Sequence, residues 1–233
     1  MSLLTMVQYF TRRTNLSIPA TVVGSTDEQV LQIMALLEEE GNDLAKRGDW
    51  QEITYEALHT TVATESQGII TSIATNGFSY IKSDTFWDRT ETLPVLIYDA
   101  VDWQAEKGFA VTGPRYHVRL RANELLSNPV PPAGNTWAFE YVSKNWILES
   151  DLITYSNYFS SDEDTCLLPE EILLMGLRWR WKKEKGFDYA EDFRTYEMMV
   201  KDALSRNGMK KKLSMSEIQR GSGVIISQGN WDL

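Results

Sequence analysis

A single cysteine, Cys166, and only two histidines, His59 and His117, stand among the 233 residues. One thiol excludes an intramolecular disulfide framework and any cysteine-rich metal site. Two imidazoles cannot build a three-histidine site, and a Cys/His site would need all three residues. No apolar run approaches the roughly 18 residues that suggest a membrane span. Positive charge is scarce too: 23 Lys+Arg face 33 Asp+Glu, a formal net of −10. Such a surface repels nucleic-acid backbones, where affinity comes mostly from Lys and Arg neutralising phosphates. Phosphate-loop, dinucleotide, nucleophile-elbow and HExxH patterns are missing. The chain therefore reads as a non-enzyme with no cofactor and no metal.

What is present is the make-up of a globular protein, 42% hydrophobic and 24% charged. Its length allows one or two domains that need no covalent staples. The opening MSLLTMVQYFTRRTN places its basic pair after the apolar stretch, which reads as an amphipathic helix rather than an export signal.

Helical spacing is strongest at the two ends. Leu3, Leu4, Val7 and Phe10 mark a first helix, and residues 15–24 a linker. Ser25 and Glu28 fit a capping box ahead of the stripe Val30, Ile33, Met34, Leu37 and Leu44, with Gly48 as the stop. Residues 1–49 thus read as helices of a bundle. From 50 to 159 the chain turns β-rich, with strands expected over 53–62, 116–121 and 137–143 and a short helix over 99–106. In the second strand Tyr116, Val118 and Leu120 alternate with His117, Arg119 and Arg121, which predicts one wet face. Residues 160–208 read as an αα-hairpin: Pro169 to Lys185 stopped by Gly186, then a helix capped by Asp188 and Glu191. Residues 209–233 carry no helical stripe and read as an extended arm. The fold class is α+β, a helical bundle from both ends with a central antiparallel β-rich portion.

The helix over 169–185 has two apolar faces. Ile172, Met175 and Trp179 lie on one, and Leu173, Leu174, Leu177 and Trp181 on the other. A helix apolar on both sides is either central to its own core or shared with a neighbour. On the second reading Arg178, Trp179, Trp181 and Lys182 are inter-subunit residues. The run RWRWKKEKG (178–186) could also meet nucleic acid, although basic residues suit a helix C-terminus in any case. The last 25 residues carry four basic and two acidic side chains, net +2 on a body of −12. Lys210, Lys211, Lys212, Arg220, Ile225, Ile226 and Trp231 give that arm both charge and apolar anchors for a partner. Asp162, Glu163 and Asp164 lack EF-hand grammar and read as a solvated loop. Cys166 reads as a buried structural thiol.

Several stretches, in order, resemble one family. They are VVGSTDEQVLQIMALLEEEGNDLAKRGDWQ (22–51), FWDRT (86–90), PPAGNTWAFEYVSKNW (131–146) and DEDTCLLPEEILLMGLRWRWKKEKGFDYAEDFRTYE (162–197). They are similar to the head-to-tail adaptor (connector) proteins of short-tailed and related tailed bacteriophages. The likeness covers about residues 3 to 205. It implies a ring, generally twelve-fold, added beneath the portal after DNA packaging. One end would grip the portal protein, and the other would face tail or nozzle proteins. DNA would pass through without specific binding, and no membrane would be involved. The location implied is the virion neck, the protein being made in the bacterial host cytoplasm. Residues 210–233 occupy the place from which such proteins commonly reach onto the portal, and Trp87 and Arg89 mark a turn that could join an interface. Two alternatives stand beside this reading: a virion-associated cell-wall hydrolase using paired acids, and a DNA-binding module.

Overall fold

The apolar stripes fix where the helices form. The computed structural model describes residues 1–109 and 115–208. Helix α1 (Leu3–Thr14) is capped by the Ser2 hydroxyl and buries Leu3, Met6, Val7 and Phe10. Helix α2 (Glu28–Ala45) buries Val30, Ile33, Leu37 and Leu44, as its spacing predicts. Its cap differs from the expected Ser25/Glu28 box. The Asp27 carboxylate accepts the Gln29 N–H at 2.9 Å, while Ser25 Oγ accepts the Asp27 N–H at 3.2 Å. A carboxylate serves an orphan donor and the positive helix end together, so it displaces the hydroxyl.

A 3-10 turn at Gln51–Ile53 leads into strand β1 (Thr54–Thr60). Strand β2 (Ser66–Ile69), helix α3 (Ile70–Ile73) and strand β3 (Phe78–Ile81) follow. Three short strands come next, β4 (Trp87–Asp88), β5 (Leu93–Pro94) and β6 (Leu96–Ile97). Helix α4 (Ala100–Lys107) is capped by Asp99, near the expected bounds. Strands β7 (His117–Arg121), β8 (Glu124–Asn128) and β9 (Thr136–Ser143) are longer. Strands β10 (Ile147–Leu148), β11 (Tyr155–Ser156) and β12 (Thr165–Cys166) precede helices α5 (Glu170–Glu184) and α6 (Ala190–Asn207). The class is α+β.

Contacts divide the chain into two compact units. Of the described residues the first takes 1–57, 74–81 and 140–208, and the second 58–73, 82–109 and 115–139. The expected β-rich portion, 50–159, therefore contributes to both.

In the first unit α5 is central, packing on α1, α2 and α6. Leu173 and Leu177 are fully buried, and Ile172 and Trp179 nearly so. Each such side chain contributes roughly 1.5–3 kcal/mol by leaving water, so both apolar faces of α5 are used inside the unit. Gly186, at φ 73, follows the helix end in the left-handed region that glycine enters without steric cost. Helix α6 then returns along α5, completing the expected hairpin, with Tyr196 and Val200 buried. Strand β10 pairs antiparallel with β11 and β12, and β3 pairs with the end of β9.

In the second unit the sheet order is β2-β8-β7-β6. The β2–β8 and β7–β8 pairs are antiparallel, but β6 runs parallel to β7, Leu96 opposite His117. The alternation expected of β7 holds at the buried Tyr116 and Val118 and fails at Leu120, 36% exposed where the strand runs out. Strand β4 pairs with β5 and with the start of β9, Asp88 opposite Trp137. The expected arm residues Lys210, Lys211, Lys212, Arg220, Ile225, Ile226 and Trp231 lie outside the described residues. No helix among the described residues is long and apolar enough to cross a membrane.

Candidate functional site

Helix α5 carries the residues expected at subunit contacts, and the structure separates them. The Trp179 indole is turned onto α6, with ring centres 5.1 Å from Phe193 and 6.1 Å from Tyr196. Only 8% of it is exposed, so little of it remains for a partner. Trp181 points the other way, 6.0 Å edge-on from Phe10 of α1, and is only partly buried. Arg178 and Lys182 both reach Asp192 of α6, at 3.2 and 2.5 Å. Asp192 is nearly buried, so two cations close around one carboxylate at the hairpin mouth.

Between them stands Arg180, which the sequence reading passed over. Its Nε donates to Glu40 at 2.7 Å, and its other two nitrogens donate to Glu39 and, at 2.5 Å, to Asp43. Glu40 is fully buried, while Glu39 and Asp43 are half exposed. The bond to Glu40 is therefore the energetically important one, since water screens the other two. Burial pushes the Glu40 carboxyl above its ordinary range, although Tyr196 and Arg180 pull it down. Burial likewise raises the Tyr196 hydroxyl, which faces Glu40. A signal for this pair did exist in the sequence. Glu40 lies three residues after Leu37 and four before Leu44, and Arg180 lies three after Leu177. A charge on an apolar stripe needs a buried partner, and each helix supplies the other's.

With Arg180 taken by α2 and Arg178 and Lys182 by Asp192, the run 178–186 is largely neutralised inside the unit. A groove nevertheless remains alongside it, about 320 Å³ in volume, between α1 and α5. Tyr9, Phe10, Leu174 and Trp181 line it together with Thr14 and the basic Arg13, Arg178 and Lys182. Such a surface can take an apolar side chain flanked by a carboxylate, the contact a protein segment offers.

The acidic loop is a correction. Asp164 is completely buried rather than solvated. It accepts the N–H groups of Ser150, Ser160 and Ser161 at 3.0, 2.7 and 2.8 Å. Asp162 accepts the N–H groups of Val22 and Val23 at 3.0 and 2.7 Å. Each carboxylate satisfies backbone donors that a tight loop cannot pair within itself, so only the exposed Glu163 matches the expectation.

In the WDRT turn the decisive residue is the one between the expected pair. Trp87 is half-buried in β4, and the Arg89 N–H donates to Thr136 O at 2.8 Å. Asp88 is fully buried and accepts from Thr90 N, Glu91 N, Asn135 Nδ2 and Trp137 Nε1 at 2.9–3.0 Å. That network ties the turn to β9.

The two histidines and the cysteine have local partners of their own. His117 Nδ1 lies 2.5 Å from Glu106 Oε1 with Tyr98 stacked at 4.2 Å. Burial lowers the His59 imidazole. Burial also pushes the Cys166 thiol up to about 12, and its Sγ lies 3.6 Å from Met6 Sδ, so it is a packing thiol. Among the described residues no group of three or more His, Cys, Asp or Glu could hold a metal ion. No protein-family model matches the chain, and no curated protein matches it either.

Proposed function

We propose that this chain is a structural virion protein, a head-to-tail adaptor whose copies form a ring joining the portal to the tail after DNA packaging. The observation that carries the reading is the α1–α5 groove. There Trp181, Arg178 and Lys182, three of the residues expected at subunit contacts, line one accessible surface with Tyr9 and Arg13. Trp179 is not part of that surface; it secures the hairpin instead. The ordered likeness over residues 3 to 205 supplies the kind of assembly. The motifs behind it include structural joints of this fold, Asp88 in WDRT and Asp164 and Arg180 in the long C-terminal stretch. The arm 209–233, carrying Lys210 to Lys212, Arg220, Ile225, Ile226 and Trp231, docks on the portal in this reading. The acidic body stands beside passing DNA without holding it.

Mixing the protein with purified portal and imaging the product tests the proposal. A collar is expected, twelve-fold where the portal is twelve-fold, and it is lost when residues 209–233 are deleted. A full-length chain that leaves the portal bare overturns the adaptor reading. Normal collars from the truncated chain overturn the arm alone.

A further inference from the structure

The turn between β10 and β11 displays apolar side chains on a rigid support. Asp151 Oδ1 accepts the N–H groups of Ile153 and Thr154 at 2.9 and 2.8 Å, and Oδ2 accepts the Thr154 hydroxyl at 2.5 Å. Glu149 and Leu152 close the loop through backbone bonds at 2.9 and 3.0 Å. Yet its tip carries Leu152 at 70% exposure and Ile153 at 78%. Leu152 sits at φ 58, where a leucine is disfavoured and glycine or asparagine would be cheaper. A turn shaped only for turning has no use for these two side chains, which the described residues leave open to solvent.

A surface of matching chemistry lies on the outer side of α6. Phe193 and Met198, 37% and 54% exposed, form an apolar groove with Val200 and Leu204. Arg194 and Lys201 are exposed on its rim, where Arg47 is already held by Glu197 at 2.5 Å. The turn is acidic, carrying Glu149 and Asp151, and the groove rim is basic.

We propose that the Leu152–Ile153 turn of one copy of this chain seats in the α6 groove of a second copy, its acidic flank against Arg194 and Lys201. The inference rests on the ring reading for the identity of the partner. Turn and groove are different surfaces, so the contact is heterologous, the type that generates rings when the rotation closes.

Disulfide trapping tests it in full-length chains carrying Cys166→Ala. Ile153→Cys and Met198→Cys variants are mixed in equal amounts, oxidised and resolved on a non-reducing gel. Linked species are expected in the mixture and in neither variant alone. Adding Arg194→Glu and Lys201→Glu to the groove variant lowers the yield about tenfold at low salt, and Glu149→Lys in the turn variant restores it. Linkage by Ile153→Cys alone means a symmetric contact and overturns the proposal. So does a mixture that links no more than a control with Glu163→Cys in place of Ile153→Cys. Collar formation on the portal is read separately: collars without the link leave the ring and remove this contact, and the link without collars does the reverse.

Discussion

Gly176 of α5 lies directly over the Glu40 carboxylate of α2, so that a Cβ at residue 176 would overlap Glu40 Cδ and Oε1. The missing side chain lets two helices approach until the Arg180–Glu40 bond closes between them. Gly176→Ala should therefore destabilise the protein by about 1–3 kcal/mol, although alanine is the better helix former by about 1 kcal/mol. Urea denaturation measures this, and unchanged or increased stability would refute the close approach.

Glu40 also gives stability a pH dependence. Its folded value is raised above the ordinary 4.5, chiefly by burial. Between that value and the raised one, the native state binds a proton that the unfolded chain has released. This contribution is fully present at low pH and is lost as pH rises through the raised value. Denaturation at a series of pH values should show the wild-type advantage over Glu40→Gln shrinking as pH rises across the window. A constant or growing difference would contradict the sign.

Two neighbouring acids should behave differently. Asp164→Ala removes the acceptor of three backbone N–H groups at once and should cost about 3 kcal/mol or more. Glu163→Ala, at an exposed position, should stay within about 0.5 kcal/mol. Equal effects in thermal melts would mean that the loop is uniformly solvated after all.

Asp88→Asn sets an amide donor among four donors while leaving the shape nearly unchanged. A loss of about 2–3 kcal/mol is expected, read by hydrogen exchange at the amides of Thr90 and Glu91. Unchanged protection there would show that the carboxylate is dispensable to the WDRT turn.

Trp179→Ala and Trp181→Ala should part company. Trp179 fills the α5–α6 joint, so its loss should cost about 3–5 kcal/mol. Trp181 is partly exposed in the groove, so its loss should spare more of the fold and weaken collar formation on the portal. Melting curves and imaging of the two variants decide it, and collars that form normally without Trp181 would count against the groove.

The helices were legible because their stripes are long and regular: Val30, Ile33, Leu37 and Leu44 named the buried face of α2 outright. The strands were legible where alternation persists, as at Tyr116 and Val118, and misleading where a strand ends, as at Leu120. Polar joints were harder to read. Pattern reading assigns charges to water, so Arg180 merged into a basic run and Asp164 into an acidic loop. Their roles depend on partners far away in sequence, such as the Ser150 N–H that donates to Asp164 and the Glu40 carboxylate that accepts from Arg180. The expected subunit residues divided for a similar reason. Wheel positions separate Trp179 from Trp181, but only the placement of α1 and α6 determines which indole is covered.

The scattered make-up of the first unit has a consequence for synthesis. Helices α1 and α2 leave the ribosome long before their main packing partner, which begins at Glu170. Throughout the interval much of their apolar surface, and the Glu40 carboxylate within it, lacks the helix that covers it. Nascent chains stopped short of Arg180 should therefore be held by chaperones or aggregate, and the unit's final assembly must wait until α5 and α6 have been made.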